Sequence, residues 1–77
     1  MSKEHIQEAV RRSLRNYFET LDGQKPTGLH KMFMDAVEYA LLDEVMNYTR
    51  GHQTKAADML GINRNTLRKK LQEHDLL

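Results

Sequence analysis

The sequence predicts an all-α fold of four helices: two build a helical dimer core and two build a C-terminal helix-turn-helix. Three observations point to this. Apolar residues recur three or four positions apart from Ile6 to Leu21 and crowd the stretch from Leu29 to Tyr48. Helix breakers separate these two runs at Asp22-Gly23 and again at Pro26-Thr27-Gly28. Residues 51–71, GHQTKAADMLGINRNTLRKKL, read as two short helices around a glycine turn, the second strongly basic. The boundary falls between a core at residues 1–49 and a helix-turn-helix unit at residues 50–77, within a single domain.

The first helix is expected from about His5 to Leu21, with Ile6, Val10, Leu14, Tyr17, Phe18 and Leu21 on one stripe and Arg11, Arg12 and Arg15 off it. The second, Leu29 to Thr49, contains neither Pro nor Gly. Leu29, Phe33, Val37, Ala40, Leu41 and Met46 line one broad stripe, while Met32, Met34, Leu42, Val45 and Tyr48 add a second surface that one partner helix cannot cover. That excess implies a second subunit and a homodimer built on the first two helices, with Tyr17, Phe18, Phe33, Val37, Leu41 and Val45 in its core. The competing arrangement is a monomer whose helix-turn-helix folds back over the extra face. Methionines 32, 34, 46 and 59 are read as packing residues rather than a peptide groove.

In the third helix Ala56, Ala57 and Leu60 share a face, and Gly61 follows where the turn needs a positive φ. Ile62 plugs the turn into the core. Asn63 is a suitable N-cap, and Leu67 with Leu71 marks the buried side of the fourth helix. Asn65, Arg68 and Lys69 lie away from those leucines, Thr66 lies on the flank and Arg64 projects from the tip. This arrangement of cations on the second helix of the motif implies nucleic-acid binding rather than a merely solvated face.

Whole-chain properties narrow the classes. At 77 residues and a net charge of +1, the chain has little general attraction to phosphate. Its positive charge is nevertheless concentrated: Arg50, Lys55, Arg64, Arg68, Lys69 and Lys70 face only Asp58 and Glu73 within residues 50–74. Absence of cysteine excludes disulfides and thiolate metal sites, and the composition suits a reducing cytoplasm. No apolar run suggests a membrane span or signal peptide. His5, His30, His52 and His74 lack helix-spaced ligand partners, so no metal or other cofactor is expected and the histidines are read as surface residues. The carboxylates Asp35, Glu38, Asp43 and Glu44 are read as wet helix faces rather than acid–base machinery, and no enzyme is expected.

The chain resembles the family of the bacterial nucleoid protein Fis, the factor for inversion stimulation. The resemblance is carried by Leu14-Arg15-Asn16-Tyr17-Phe18, Leu41-Leu42-Asp43-Glu44-Val45-Met46, Tyr48-Thr49-Arg50-Gly51, Gln53-Thr54-Lys55-Ala56-Ala57 and Gly61-Ile62-Asn63-Arg64-Asn65-Thr66-Leu67-Arg68-Lys69-Lys70-Leu71. It implies an intertwined all-helical homodimer that binds and bends double-stranded DNA, regulates transcription in the bacterial nucleoid and is a candidate partner of RNA polymerase. By the same resemblance, Asn63 and Arg64 reach base edges, Arg64 being suited to guanine O6 and N7. Arg50, Gln53, Thr54, Thr66, Arg68 and Lys69 contact the DNA backbone, with His52 and Asn65 as further candidate contacts.

Some positions depart from the family pattern. His52 stands in place of Asn, Asn65 in place of Gly, Gln72 and Glu73 in place of lysines, and Ala40 in place of a Pro that kinks the long helix. The chain also starts almost at the first helix, without the mobile arm of the longest-known members, so stimulation of inversion is not expected. A similar helix-turn-helix closes the enhancer-binding activators, so a detached activator domain is one alternative and a helical protein-interaction module another. The Met1-Ser2-Lys3 opening favours a complete protein.

Overall fold

The computed structural model describes residues 1–77 as four α-helices. Helix α1 spans Lys3–Thr20, α2 Leu29–Tyr48, α3 Gln53–Leu60 and α4 Arg64–Glu73. Helix α1 begins two residues before the expected His5 because Ser2 caps it, its Oγ accepting from the His5 N–H at 3.2 Å. Asp22 and Gly23 both adopt positive φ, +50° and +84°, which ends the helix where the breakers stand in the sequence. Helix α2 then runs unbroken through Ala40.

The three remaining helix ends share one device. Arg50, Gly61 and Asp75 sit in the left-handed region with φ of +56°, +71° and +57°. The residue after each donates its N–H to a carbonyl five positions earlier: Gly51 to Met46 at 2.9 Å, Ile62 to Ala57 at 3.1 Å and Leu76 to Leu71 at 2.8 Å. This geometry satisfies orphan carbonyls and turns the chain sharply. Only the middle site has the residue that adopts it without strain.

Leu42, Ala56, Ala57, Leu67 and Leu71 form the buried core, flanked by Val45, Met46, Leu60, Ile62 and Leu76. The alanines allow α3 to lie close to its neighbours, and both leucines of α4 are fully covered. Leu42, Val45 and Met46 of α2 therefore belong to the same core as the helix-turn-helix. Leu42 and Val45 of the second surface of α2 are covered in this way by the helix-turn-helix, and Met46 of the first stripe joins them. Val45, expected in a dimer core, packs against the core of its own subunit.

Apart from Leu42 no residue of α2 is buried, and α1 is half-covered at most, at Val10, Leu14 and Tyr17. No residue of α1 is buried, and Ile6, Phe18, Met34, Val37 and Leu41 are exposed. The radius of gyration, 14.9 Å, exceeds the roughly 11.5 Å of a compact chain of this length. The molecule extends 44 × 27 × 17 Å.

Candidate nucleic-acid interface

The interface is assembled at the start of α3 and along the open face of α4. Gly51, His52, Gln53, Thr54, Arg64 and Arg68 line one polar cleft of about 300 Å³. Arg64 and Arg68 are one turn apart on α4 and project together from the flank beside Leu67 and Leu71, toward the start of α3. The first turn of α3 forms the opposite wall and contributes the positive end of a helix dipole. Arg50, Lys55, Arg64, Arg68 and Lys69 form no ion pair with any carboxylate. The basic face is thus electrostatically unsatisfied by the chain itself.

Capping fixes both helix starts. His52 Nδ1 accepts from the Lys55 N–H at 3.3 Å, so in the neutral ring the proton sits on Nε2, which is left as a donor. Asn63 Oδ1 accepts from the Asn65 N–H at 2.7 Å, bearing out the N-cap expectation. That bond occupies the amide oxygen of Asn63 and leaves its NH₂ as the group available for an outside acceptor.

The structure groups the predicted residues unevenly. His52, Gln53, Thr54, Arg64 and Arg68 share the cleft. Asn63, the α4 N-cap, and Asn65, Thr66 and Lys69 on α4 are exposed outside it. Arg50 lies in a separate hollow with Tyr48, Thr49, Lys55, Asp58 and Met59. Of the residues expected in the dimer core, Phe33 and Val37 border an apolar groove with Ile6, Ala9, Val10 and Ala40. Tyr17 is half-buried and its ring lies 6.2 Å from that of Phe18, which is exposed like Leu41.

Two expectations are corrected. Glu38 is not merely on a wet face, and His74 is not a surface histidine. Glu38 Oε2 accepts from Lys70 Nζ at 2.9 Å, while Oε1 meets His74 Nε2 at 2.9 Å. The His74 side chain keeps only 13% of its exposure. Hydrogen bonds from Lys70 and then His74 hold the Glu38 carboxyl below its ordinary range, and the bond to Glu38 raises the Lys70 ammonium above its own. The partners are 32 and 36 positions apart, so helix spacing gave no sign of them. The available signal was that Lys70 adjoins Leu71 on the flank of α4 that turns inward.

Comparison with known proteins places this geometry in a family context. Residues 33–74 match the bacterial regulatory protein, Fis family. A DNA-binding protein Fis of Glaesserella parasuis is 51% identical over 92% of this chain and 72% of its own length, and one of Actinobacillus succinogenes matches equally. A Ralstonia nicotianae protein described as Fis-like DNA-binding is 49% identical over the whole of both chains.

Proposed function

Since the chain belongs to the Fis family of bacterial regulatory proteins, we propose that it is a homodimeric helix-turn-helix protein that binds and bends double-stranded DNA and regulates transcription in the nucleoid. The observation that carries this reading is the cleft joining His52, Gln53 and Thr54 to Arg64 and Arg68, with no carboxylate paired to either arginine. An unpaired basic surface of this kind gains most from a polyanion, whose counterions are released when phosphates take their place.

In this reading α4 enters the major groove tip first. Asn63 offers its amide NH₂ and Arg64 its forked guanidinium to base acceptors. Gln53, Thr54, Thr66, Arg68, Lys69 and Arg50 hold the backbone and set the register, with His52 Nε2 and Asn65 as further donors. The separate hollow of Arg50 suits a phosphate away from the central cleft. RNA polymerase is a candidate partner of the DNA-bound form, and no catalytic step is involved.

The dimer is supported by the open groove between α1 and α2, where Ile6, Ala9 and Val10 face Phe33, Val37 and Ala40 across about 380 Å³. A second copy would cover this apolar surface and present two copies of α4 related by a two-fold axis. Bending follows if those copies stand closer than the roughly 34 Å between successive major grooves of straight DNA. Similarity to Fis proteins extends through 92% of the chain, beyond the helix-turn-helix, which favours this reading over a detached activator domain.

The test is duplex-DNA binding titrated against salt, with the mass of the protein determined in the same buffer. A dimer whose log affinity falls steeply with log salt is the expected result. A monomer with no affinity at low salt would overturn the proposal and return the basic helix to a protein-docking role.

A further inference from the structure

Lys70 differs from the other cations of its run. Arg68 and Lys69 are exposed and unpaired, whereas Lys70 is turned back onto α2 and its ammonium is held by Glu38 at 2.9 Å. His74 occupies the second carboxylate oxygen at 2.9 Å, and the His74 ring is seated edge-on against Tyr39, with centroids 6.0 Å apart. Lys31, Asp35 and Glu73 line the same polar hollow. The contact thus joins the middle of α2 to the last turns of the basic helix.

Lys70 lies one turn beyond Thr66 on the same flank of α4. A released Lys70 would extend that flank by about 5.4 Å, toward the next point of contact with a bound backbone. Glu38 offers the lysine an anionic oxygen of the kind a phosphate offers. Both groups are charged at neutral pH, and the bond between them lowers the Glu38 pKa and raises that of Lys70. The pair is only partly shielded, with Lys70 and Glu38 retaining 34% and 33% of their side-chain exposure, so a phosphate has access to the ammonium it would compete for.

We propose that Glu38 is an internal competitor of DNA phosphate for Lys70, an affinity-setting contact that withholds one cation per subunit from the backbone. The proposal rests on the DNA-binding reading above. It explains why a run of three consecutive cations presents only two, and it assigns Glu38 a role at the DNA interface without contact to DNA.

The experiment measures binding of a random-sequence duplex across a salt series for wild type, Glu38→Gln, Lys70→Met, Lys69→Met and the Glu38→Gln/Lys70→Met pair. Glutamine keeps the size of residue 38 while removing its charge and replacing one of its two acceptor oxygens with an NH₂ donor. Glu38→Gln is expected to bind more tightly at low salt, with a slope of log affinity on log salt steeper by about 0.9 per subunit. Its advantage over wild type then shrinks about 3.5-fold per subunit between 50 and 200 mM salt. Lys70→Met alone leaves the wild-type slope unchanged, whereas Lys69→Met makes it shallower by about 0.9 per subunit.

Three results would overturn the proposal: an unchanged slope in Glu38→Gln, an equal gain from that change when Lys70 is already Met, or a shallower slope in Lys70→Met. The last remains decisive if Glu38→Gln loses its helical circular dichroism. Failure of wild type to bind DNA at low salt overturns the DNA-binding reading together with this one, whereas wild-type binding combined with any of the three defeats this one alone.

Discussion

The two halves of the molecule spend similar sequence material differently. From Leu42 to Leu76 the chain encloses a core of its own, with Leu67 and Leu71 fully buried between α3 and the end of α2. From Lys3 to Leu41 it forms two longer helices and buries nothing completely. The difference lies in residue size and helix crossing. Ala56 and Ala57 let α3 approach its neighbours, and tight turns at Gly51 and Gly61 fold the short helices onto one another. The bulky apolar residues of α1 and early α2 instead stand apart across open grooves. An apolar surface left open in this way suits cover by a second copy, which is why dimerisation is proposed for that half.

A large effect that would break this comparison is expected at Leu67. Leu67→Ala removes a fully buried side chain and should destabilise the C-terminal unit by about 2–5 kcal/mol, read from denaturant unfolding. A loss within the range of an exposed substitution would show that this core is not self-sufficient. On the N-terminal side, Phe33→Ala should cost about 3–5 kcal/mol of dimer stability if a second copy covers the groove. That loss would appear as a concentration-dependent dissociation in sedimentation, whereas an effect independent of concentration would assign Phe33 to the monomer.

Smaller changes sharpen the comparison at the helix ends. Asn63→Ala removes the α4 cap and should cost about 1 kcal/mol in thermal unfolding, with a separate loss of DNA affinity. Arg50→Gly should stabilise the fold by about 1 kcal/mol through relief of its positive φ, while removing a cation proposed to contact DNA. Stability and affinity would then move in opposite directions, and parallel movement would contradict the strain argument.

The pH dependence tests the seam between the halves. Glu38 has a lowered folded pKa, so its stabilising contribution is complete above the ordinary value of 4.5 and is lost as pH falls through the lower folded value. Lys70 has the opposite shift, and its contribution is complete below 10.5 and lost as pH rises through the higher folded value. Melting temperatures of wild type and Glu38→Gln should therefore converge as pH falls below 4.5. A constant gap down to strong acid would detach Glu38 from this pairing.

What the sequence determined by itself was local. Apolar spacing located α1 and α2, the breakers at 22–28 separated them, and Gly61, Asn63, Leu67 and Leu71 specified the turn, cap and buried face of the helix-turn-helix. These signals are legible because helix periodicity and capping act within about four residues. The tertiary structure decided which surface each helix covers. It moved Leu42, Val45 and Met46 into the C-terminal core, set Arg50 apart from the Arg64–Arg68 cleft, and joined Glu38 to Lys70 and His74. Those outcomes depend on turn angles and helix crossings that bring distant positions together, and a one-dimensional pattern of apolar and charged residues does not encode which of two exposed faces meets its neighbour.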